Sequence, residues 1–344
     1  MNSEMHSLQM ELLMAHGLNA AQAASVIEAS FSPSSVHVDA PLSNFASTIR
    51  NRDMIADMVM PIVDVTKPSD KFFKYGADTF FEEQSATLTG AEAMPGRVRY
   101  TISTDNFSTF DYGLMDFVSN KEIEAADAPI DPQMHAVKVV TSRLDIAKER
   151  RVAAIAFASG SYGSNTAALS GADRWDTNTS DPVQKIDDAI EACDERPNIM
   201  VIGAQAWIKL KNHPKLKETI LSRSSTISGA TPDRVTTDLV AALFELDAVY
   251  VGRAKYVSSR EGQTSAKGYI WGKSCALIRA TDNPGPRETA VFGKQFRFGP
   301  RETQTIEAPL PGKSGGMYIK VTESLDEKVV AGSAAGFLYT TVVS

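Results

Sequence analysis

Cysteine is almost missing from this chain: Cys193 and Cys275 are the only two in 344 residues. Two thiols build neither a disulfide framework nor a zinc cluster, and the simplest expectation is a buried pair in a reducing compartment. Histidine is scarce too. His6, His16, His37, His135 and His213 include no i, i+4 pair and no set of spaced carboxylates, so they suggest no metal centre. His135 and His213 are expected at helix ends, as surface or capping residues. No run of about 18 apolar residues occurs, so no membrane-crossing helix is expected. Residues 1–10 carry Glu4 and no basic stretch, so no secretory signal is expected, and folding in a cytoplasm is. Positive charge is not in excess. A net charge of −7 argues against a dedicated nucleic-acid binder, though not against loose contact along one face. No internal repeat of fixed period is found.

What the chain does have is ordinary core material. Apolar residues make up 43% and charged residues 22%, enough for two domains or for one with extensions. The most ordered stretch is 131–158, which reads as one long helix. Asp131 suits the N-cap and Pro132 the first helical position, where its missing N–H costs nothing. Val137, Val140, Leu144 and Ala147 form an apolar stripe, with a smaller one at Val139, Ile146 and Ala153. Lys138, Arg143, Lys148, Arg150 and Arg151 make the remainder basic. At 1.5 Å per residue such a rod is about 40 Å long, and two apolar stripes imply two neighbours.

The other segments follow in order. Leu8 to Ser30 reads as an amphipathic helix, followed by a Ser/Pro linker over 30–35. Val36 to Val65 reads as an extended arm whose apolar clusters must lie across its own domain or a neighbouring subunit. Lys71 to Tyr75 and Arg97 to Ile102 are expected to pair as a hairpin, with 84–96 between them far too long for a tight turn. Asp105 to Asp131 is an acidic run, either a solvated face or a partner for the basic helix. Trp175 is expected to anchor a loop, and Asp181-Pro182 to open a second helix buried through Val183, Ile186 and Ile190. Ile199 to Ile202 is a continuous apolar run, as in a strand covered on both faces. Helices are expected through Trp207 and Leu210, over Leu216 to Leu221, and over Thr236 to Leu243, with Ser222 to Ala230 as loop. Strands are expected at Ala248–Val251, Tyr269–Trp271 and Cys275–Ala280, making 199–281 an α/β unit. Beyond Phe292 the pattern is β: an alternating 294–298, another at 317–321, and a last strand over 337–343. That tail is expected to return to the sheet beneath the long helix.

No chemical signature is complete. Gly272-Lys273-Ser274 and Gly312-Lys313-Ser314 resemble the end of a phosphate loop, but the required earlier glycine is Lys267 or Glu307. The loop Gly160-Ser161-Tyr162-Gly163-Ser164 lacks the order of a nucleophile elbow. Asp187 and Asp188 are adjacent, hence about 100° apart on a helix, and read as charges in its N-terminal half. No catalytic, cofactor-binding or metal-ligating residue is assigned and no cofactor is expected.

Segment order and local motifs together resemble a known family. Pro41-Leu42-Ser43-Asn44, with Ile55-Ala56-Asp57 through Pro61-Ile62-Val63, is similar to an arm entering a hairpin. Glu149-Arg150-Arg151-Val152-Ala153 is similar to the end of a spine helix. Leu169-Ser170-Gly171, Trp175 and Ser180-Asp181-Pro182 precede the second helix. Pro197-Asn198-Ile199-Met200-Val201-Ile202-Gly203, then Leu210 and His213-Pro214, enter an axial domain. The combination, covering 36–343, resembles the major capsid proteins of tailed bacteriophages, with the Hong Kong 97-type coat fold. That resemblance implies an α+β fold with an N-terminal extension (1–35) and an N-arm (36–65). It further implies an extended hairpin loop (66–108), a peripheral domain (109–198 and 291–344) holding spine helix 131–158, and an axial α/β domain (199–290). It implies a structural protein and not an enzyme, one that self-assembles as hexamers and pentamers into an icosahedral shell. Its implied partners are packaged double-stranded DNA held without sequence specificity, a portal protein and a scaffold or maturation protease, with no membrane. Synthesis in host cytoplasm and residence in the virion follow. Two alternatives stand beside it: a nanocompartment shell of the same fold around enzyme cargo, and a soluble α/β hydrolase or transferase joining Ser161 or Ser164 to a histidine and a carboxylate.

Overall fold

The computed structural model describes residues 36–38, 42–43, 46, 53–74, 103–126, 131–227, 235–259, 263–281, 291–308 and 315–344. The expected helix at Leu8–Ser30, the strand at Arg97–Ile102 and the turn at Gly312–Ser314 lie outside them. In chain order the first elements are β1 (Val36–Val38), α1 (Ala56–Val59), β2 (Ile62–Val65), β3 (Ser69–Lys74), β4 (Ser103–Ser108) and β5 (Phe110–Ser119). Next come α2 (Asn120–Ala125), α3 (Pro132–Ala156), β6 (Thr166–Ala168), α4 (Pro182–Glu191), β7 (Ile199–Gly203), α5 (Ala204–Asn212), α6 (Pro214–Ile227) and α7 (Thr237–Phe244). β8 (Ala248–Gly252), β9 (Lys255–Val257), β10 (Lys267–Tyr269), β11 (Cys275–Ile278), β12 (Gly293–Phe298), β13 (Glu302–Ala308), β14 (Gly316–Val329) and β15 (Gly336–Thr340) complete the chain. The described residues form two compact units. One draws on the described residues within 36–50, 111–145 and 300–324, the other on those within 51–110, 146–299 and 325–344.

In the first unit β13 runs antiparallel to the first half of β14, from Glu302↔Thr322 to Ala308↔Gly316, and β1 pairs with the other edge of β13. The first half of α3 covers these strands: Ala136 and Val137 pack with Val118 and Ile319, and Val140 and Leu144 with Val321. The helix begins as its sequence requires, with the Asp131 carboxylate accepting the Gln133 and Met134 N–H groups. Ser119 and Glu122 form a capping box at α2.

In the second unit a five-stranded sheet has the order β6-β15-β11-β7-β8. β7 is buried at every position, as its unbroken apolar sequence requires. Met200 and Ile202 face a core with Ile186, Leu210, Leu216 and Phe244 from α4 to α7. Ile199 and Val201 face Val152, Ala153 and Ala156 of α3. Successive strand residues point to opposite faces, so one short strand serves both cores.

The last strand, β15, lies between β11 and β6 in the α/β sheet, and its Leu338 packs with Val152, Ala153 and Ala156 beneath the second half of the long helix. Its alternation specified a strand, but only the available edges of β11 and β6 decided its place. Residues 222–227, expected as loop, continue α6, since serine is a weak helix former and not a breaker. β12 alternates in sequence, yet Gly293, Lys294, Gln295 and Phe296 are all buried. Asp187 and Asp188, expected in the N-terminal half of their helix, lie in the second half of α4, where Asp188 accepts from the Gln184 side chain.

The hairpin stem is β3 paired with β4, from Ser69↔Ser108 to Lys74↔Ser103. Its root is fixed by stacking: the Phe107 ring lies 4.4 Å from that of Phe296, and Phe72 lies 5.4 Å from it on a tilt. The Ser108 N–H donates to Asp326.

Candidate assembly surfaces and the arm anchor

The long helix buries more charge than its apolar stripe suggests. At 100° per residue Lys148 falls roughly 20° from Val137, whereas Ala147 falls roughly 80° away. Ala147 is accordingly exposed, and Lys148 and Glu149 are buried. Glu149, only 1% exposed, accepts three hydrogen bonds: Ile55 N–H at 2.9 Å, Ala56 N–H at 2.9 Å and Trp271 Nε1–H at 2.6 Å. Burial pushes its carboxyl above the ordinary glutamate range, and the three donors only partly oppose that shift.

This carboxylate does for α1 what no local residue does. Ile55 occupies the N-cap and offers no side-chain acceptor, so Glu149 serves as the cap from 93 residues away. A four-residue helix is not stable alone and takes its order from such contacts. Lys148 adds an ion pair to Asp57 at 2.9 Å, and the Gln295 amide donates to the Ala56 and Met60 carbonyls. Trp271 is held from behind by Gly252, where any Cβ would fall inside the indole. The segment 55–60 is thus clamped to Glu149, Lys148 and Gln295.

A second charged cluster lies in the first unit. The Arg301 guanidinium bonds Asp145 at 2.6 Å and Glu323 at 2.7 and 3.1 Å. Burial would lower its pKa, but the two carboxylates prevail and raise it.

The candidate assembly surface is β5. Of its ten residues only Val118 is buried. Leu114 is 41% exposed, Met115 64% and Phe117 38%, and Phe117 packs against the half-exposed Tyr318 ring at 5.0 Å. Leu114 and Met115 are consecutive, so apolar side chains stand exposed on both faces of the strand, although Tyr112 and Val118, on the Leu114 face, pack into the core and one edge pairs with β14. A strand made for a monomer normally hides one face. Of the acidic residues along 105–131, Asp105, Asp111, Asp116, Glu122, Glu124 and Asp131 are exposed and Asp127 lies outside the described residues; Glu122 and Asp131 accept local hydrogen bonds, and Asp111 accepts one from the distant Ser324 hydroxyl.

The residues considered for catalysis are not brought together. Ser161 donates to the Ile155 carbonyl and Ser164 to Asn165. His213, expected at a helix end as a surface or capping residue, is the C-cap of α5 and is buried at the α5–α6 junction against Ser180 and the Thr177 carbonyl, with no carboxylate at its other nitrogen among the described residues. His135 is exposed. Both cysteines are buried; Cys193 is pushed up to about 12 and Cys275 higher, so neither is a thiolate nucleophile at neutral pH. Lys273 binds the Ser344 carbonyl. Among the described residues no three His, Cys, Asp or Glu side chains are grouped to hold a metal.

Comparison with known proteins gives a consistent result. A family model described as phage major capsid protein E matches residues 160–264. The major capsid protein of Pseudomonas phage JBD67 is 31% identical over 308 residues, covering 89% of this chain and 97% of that one. The major capsid protein of Burkholderia phage BcepMu is 26% identical, covering 88% and 95%. Among solved structures, a phage-related protein from Bordetella bronchiseptica RB50 superposes with a TM-score of 0.68 at 24% identity, covering 89% and 97%. The Cyanophage P-SCSP1u capsid gives 0.55 at 10% identity, covering 85% and 89%. These two structures speak to the fold, which is the Hong Kong 97-type α+β fold.

Proposed function

The chain belongs to the phage major capsid proteins, and from that premise we propose that its copies join as hexamers and pentamers and close an icosahedral shell around double-stranded DNA. The single observation that carries this reading is β5, a long strand that leaves apolar side chains exposed on both faces. A closed symmetric assembly covers such surfaces and leaves no strand edge open. The anchored arm root and hairpin root support the same reading, because a limb transmits force between subunits only if its base is fixed.

The net charge of −7 favours DNA contact that is nonspecific and confined to part of the surface. A portal protein and a scaffold or maturation protease complete the assembly, with the chain made in the host cytoplasm and ending in the virion. In this reading residues 1–35 are an extension, 36–65 the arm, 66–108 the extended hairpin, 109–198 with 291–344 the peripheral domain, and 199–290 the axial domain. The protein works without an active site. Relatives matching nearly the whole chain are phage coat proteins, so the nanocompartment shell and the soluble hydrolase are not favoured.

Sedimentation velocity and negative-stain microscopy of the expressed chain test this. Rings or megadalton particles are expected, and a stable monomer would refute the proposal. Leu114→Asp with Met115→Asp, both at exposed positions, should leave the monomer's circular dichroism unchanged and abolish the particles.

A further inference from the structure

The α/β sheet carries two unlike surfaces at opposite ends of its parallel pair, and they complement each other. β7 and β8 run in register from Ile199↔Ala248 to Gly203↔Gly252. At about 3.3 Å per residue their two ends are some 13 Å apart. Past the C-terminal ends lies a groove of about 590 Å³, walled by Trp207, Ile208 and Val251 and edged by three cations, Lys211, Arg253 and Lys255, against one carboxylate, Asp53. Ile208 stands 48% exposed beside it, with Lys211 one helical turn on and on the same face of α5. At the N-terminal ends lies a notch of about 500 Å³, floored by Ile190 and Leu243 and edged by Asp187, Glu191 and Asp194, with Arg196 also on its rim but paired to Glu245 at 2.9 Å. Lys211, Arg253, Glu191 and Asp194 form no ion pair among the described residues.

We propose that the groove end of one copy docks into the notch of the next. Ile208 enters between Ile190 and Leu243, and Lys211 and Arg253 face Glu191 and Asp194. The occupant is a second copy of this chain because its own opposite end supplies both the apolar socket and the opposite charge. Two groove ends cannot serve each other, since their cations would meet. The contact is therefore heterologous, repeating head to tail, and closes into a ring. This deepens the coat-protein reading and rests on it: it assigns the polarity and the side chains of the contact around the ring axis.

The test uses two charge-reversed full-length chains, Lys211→Glu with Arg253→Glu, and Glu191→Lys with Asp194→Lys. Each alone sets like charges face to face, and the concentration needed for ring formation should rise about tenfold or more. Mixed in equal amounts, the two variants restore opposite charge at every contact, but only when they alternate. Native mass spectrometry should then show rings of even subunit number and equal composition, with odd-numbered rings absent. Circular dichroism and melting of each chain confirm folding, and Ile208→Arg supplies an independent single substitution that should also block rings. Wild-type assembly by the variants, or no rescue in a mixture of two folded chains, overturns the proposal. Failure of the unsubstituted chain to assemble would instead overturn the coat-protein reading beneath it.

Discussion

Replacing Arg301 by Met should be among the most damaging single changes outside the apolar cores. Arg301 stands between Asp145 and Glu323, and the three side chains are 14%, 11% and 5% exposed. Met fills much of the same volume but leaves two buried carboxylates with no shared cation. Breaking a buried ion pair from one side costs about 3–5 kcal/mol, because the remaining charge stays desolvated. Here one arginine serves two carboxylates, so the upper half of that range is expected. The pH dependence follows from the same physics. Without Arg301 the two buried carboxylates are left as uncompensated charges, and acid removes that charge by protonating them, so the folded variant recovers stability as pH falls. The variant's deficit should therefore be largest near pH 7 and shrink toward pH 4–5 (about the unfolded carboxylate range). Urea unfolding of the unassembled chain at both pH values measures it. A deficit under about 1 kcal/mol at pH 7, or one that does not narrow in acid, would refute the account. Replacing all three residues by apolar ones should recover most of the loss.

Glu149→Ala leaves the Ile55, Ala56 and Trp271 N–H groups without their acceptor, at about 1–3 kcal/mol each before relaxation. Limited proteolysis should then cut near residues 53–60 much faster than in the unsubstituted chain. Leu144→Asp sets an unpaired charge against Val140 and Val321 and should yield insoluble protein; a soluble, assembling variant would contradict the placement of α3. Deleting 79–94 should leave a folded subunit, judged by circular dichroism, that closes no shell under the microscope.

Local chemistry was legible in the sequence wherever one residue type has one cheap use. Asp131 before Pro132 and Asp181 before Pro182 mark helix starts because a side-chain oxygen there satisfies N–H groups the helix cannot. The apolar run at 199–202 required cover on both faces, and its strand is buried at every position. Trp175 was expected as an anchor and is buried. The order of these segments was enough to show the coat fold. What periodicity could not reveal was which polar groups go inside. Glu149, Lys148, Arg301 and Asp145 look in sequence like ordinary surface charges, because a buried charge is tolerated only through partners 22 to 156 residues away. The same holds for β15, whose alternation specifies a strand but not the neighbour whose edge it completes. Turn, cap and period are settled by the nearest few residues. The destination of a strand and the burial of a charge are settled by what the folded chain brings to meet them.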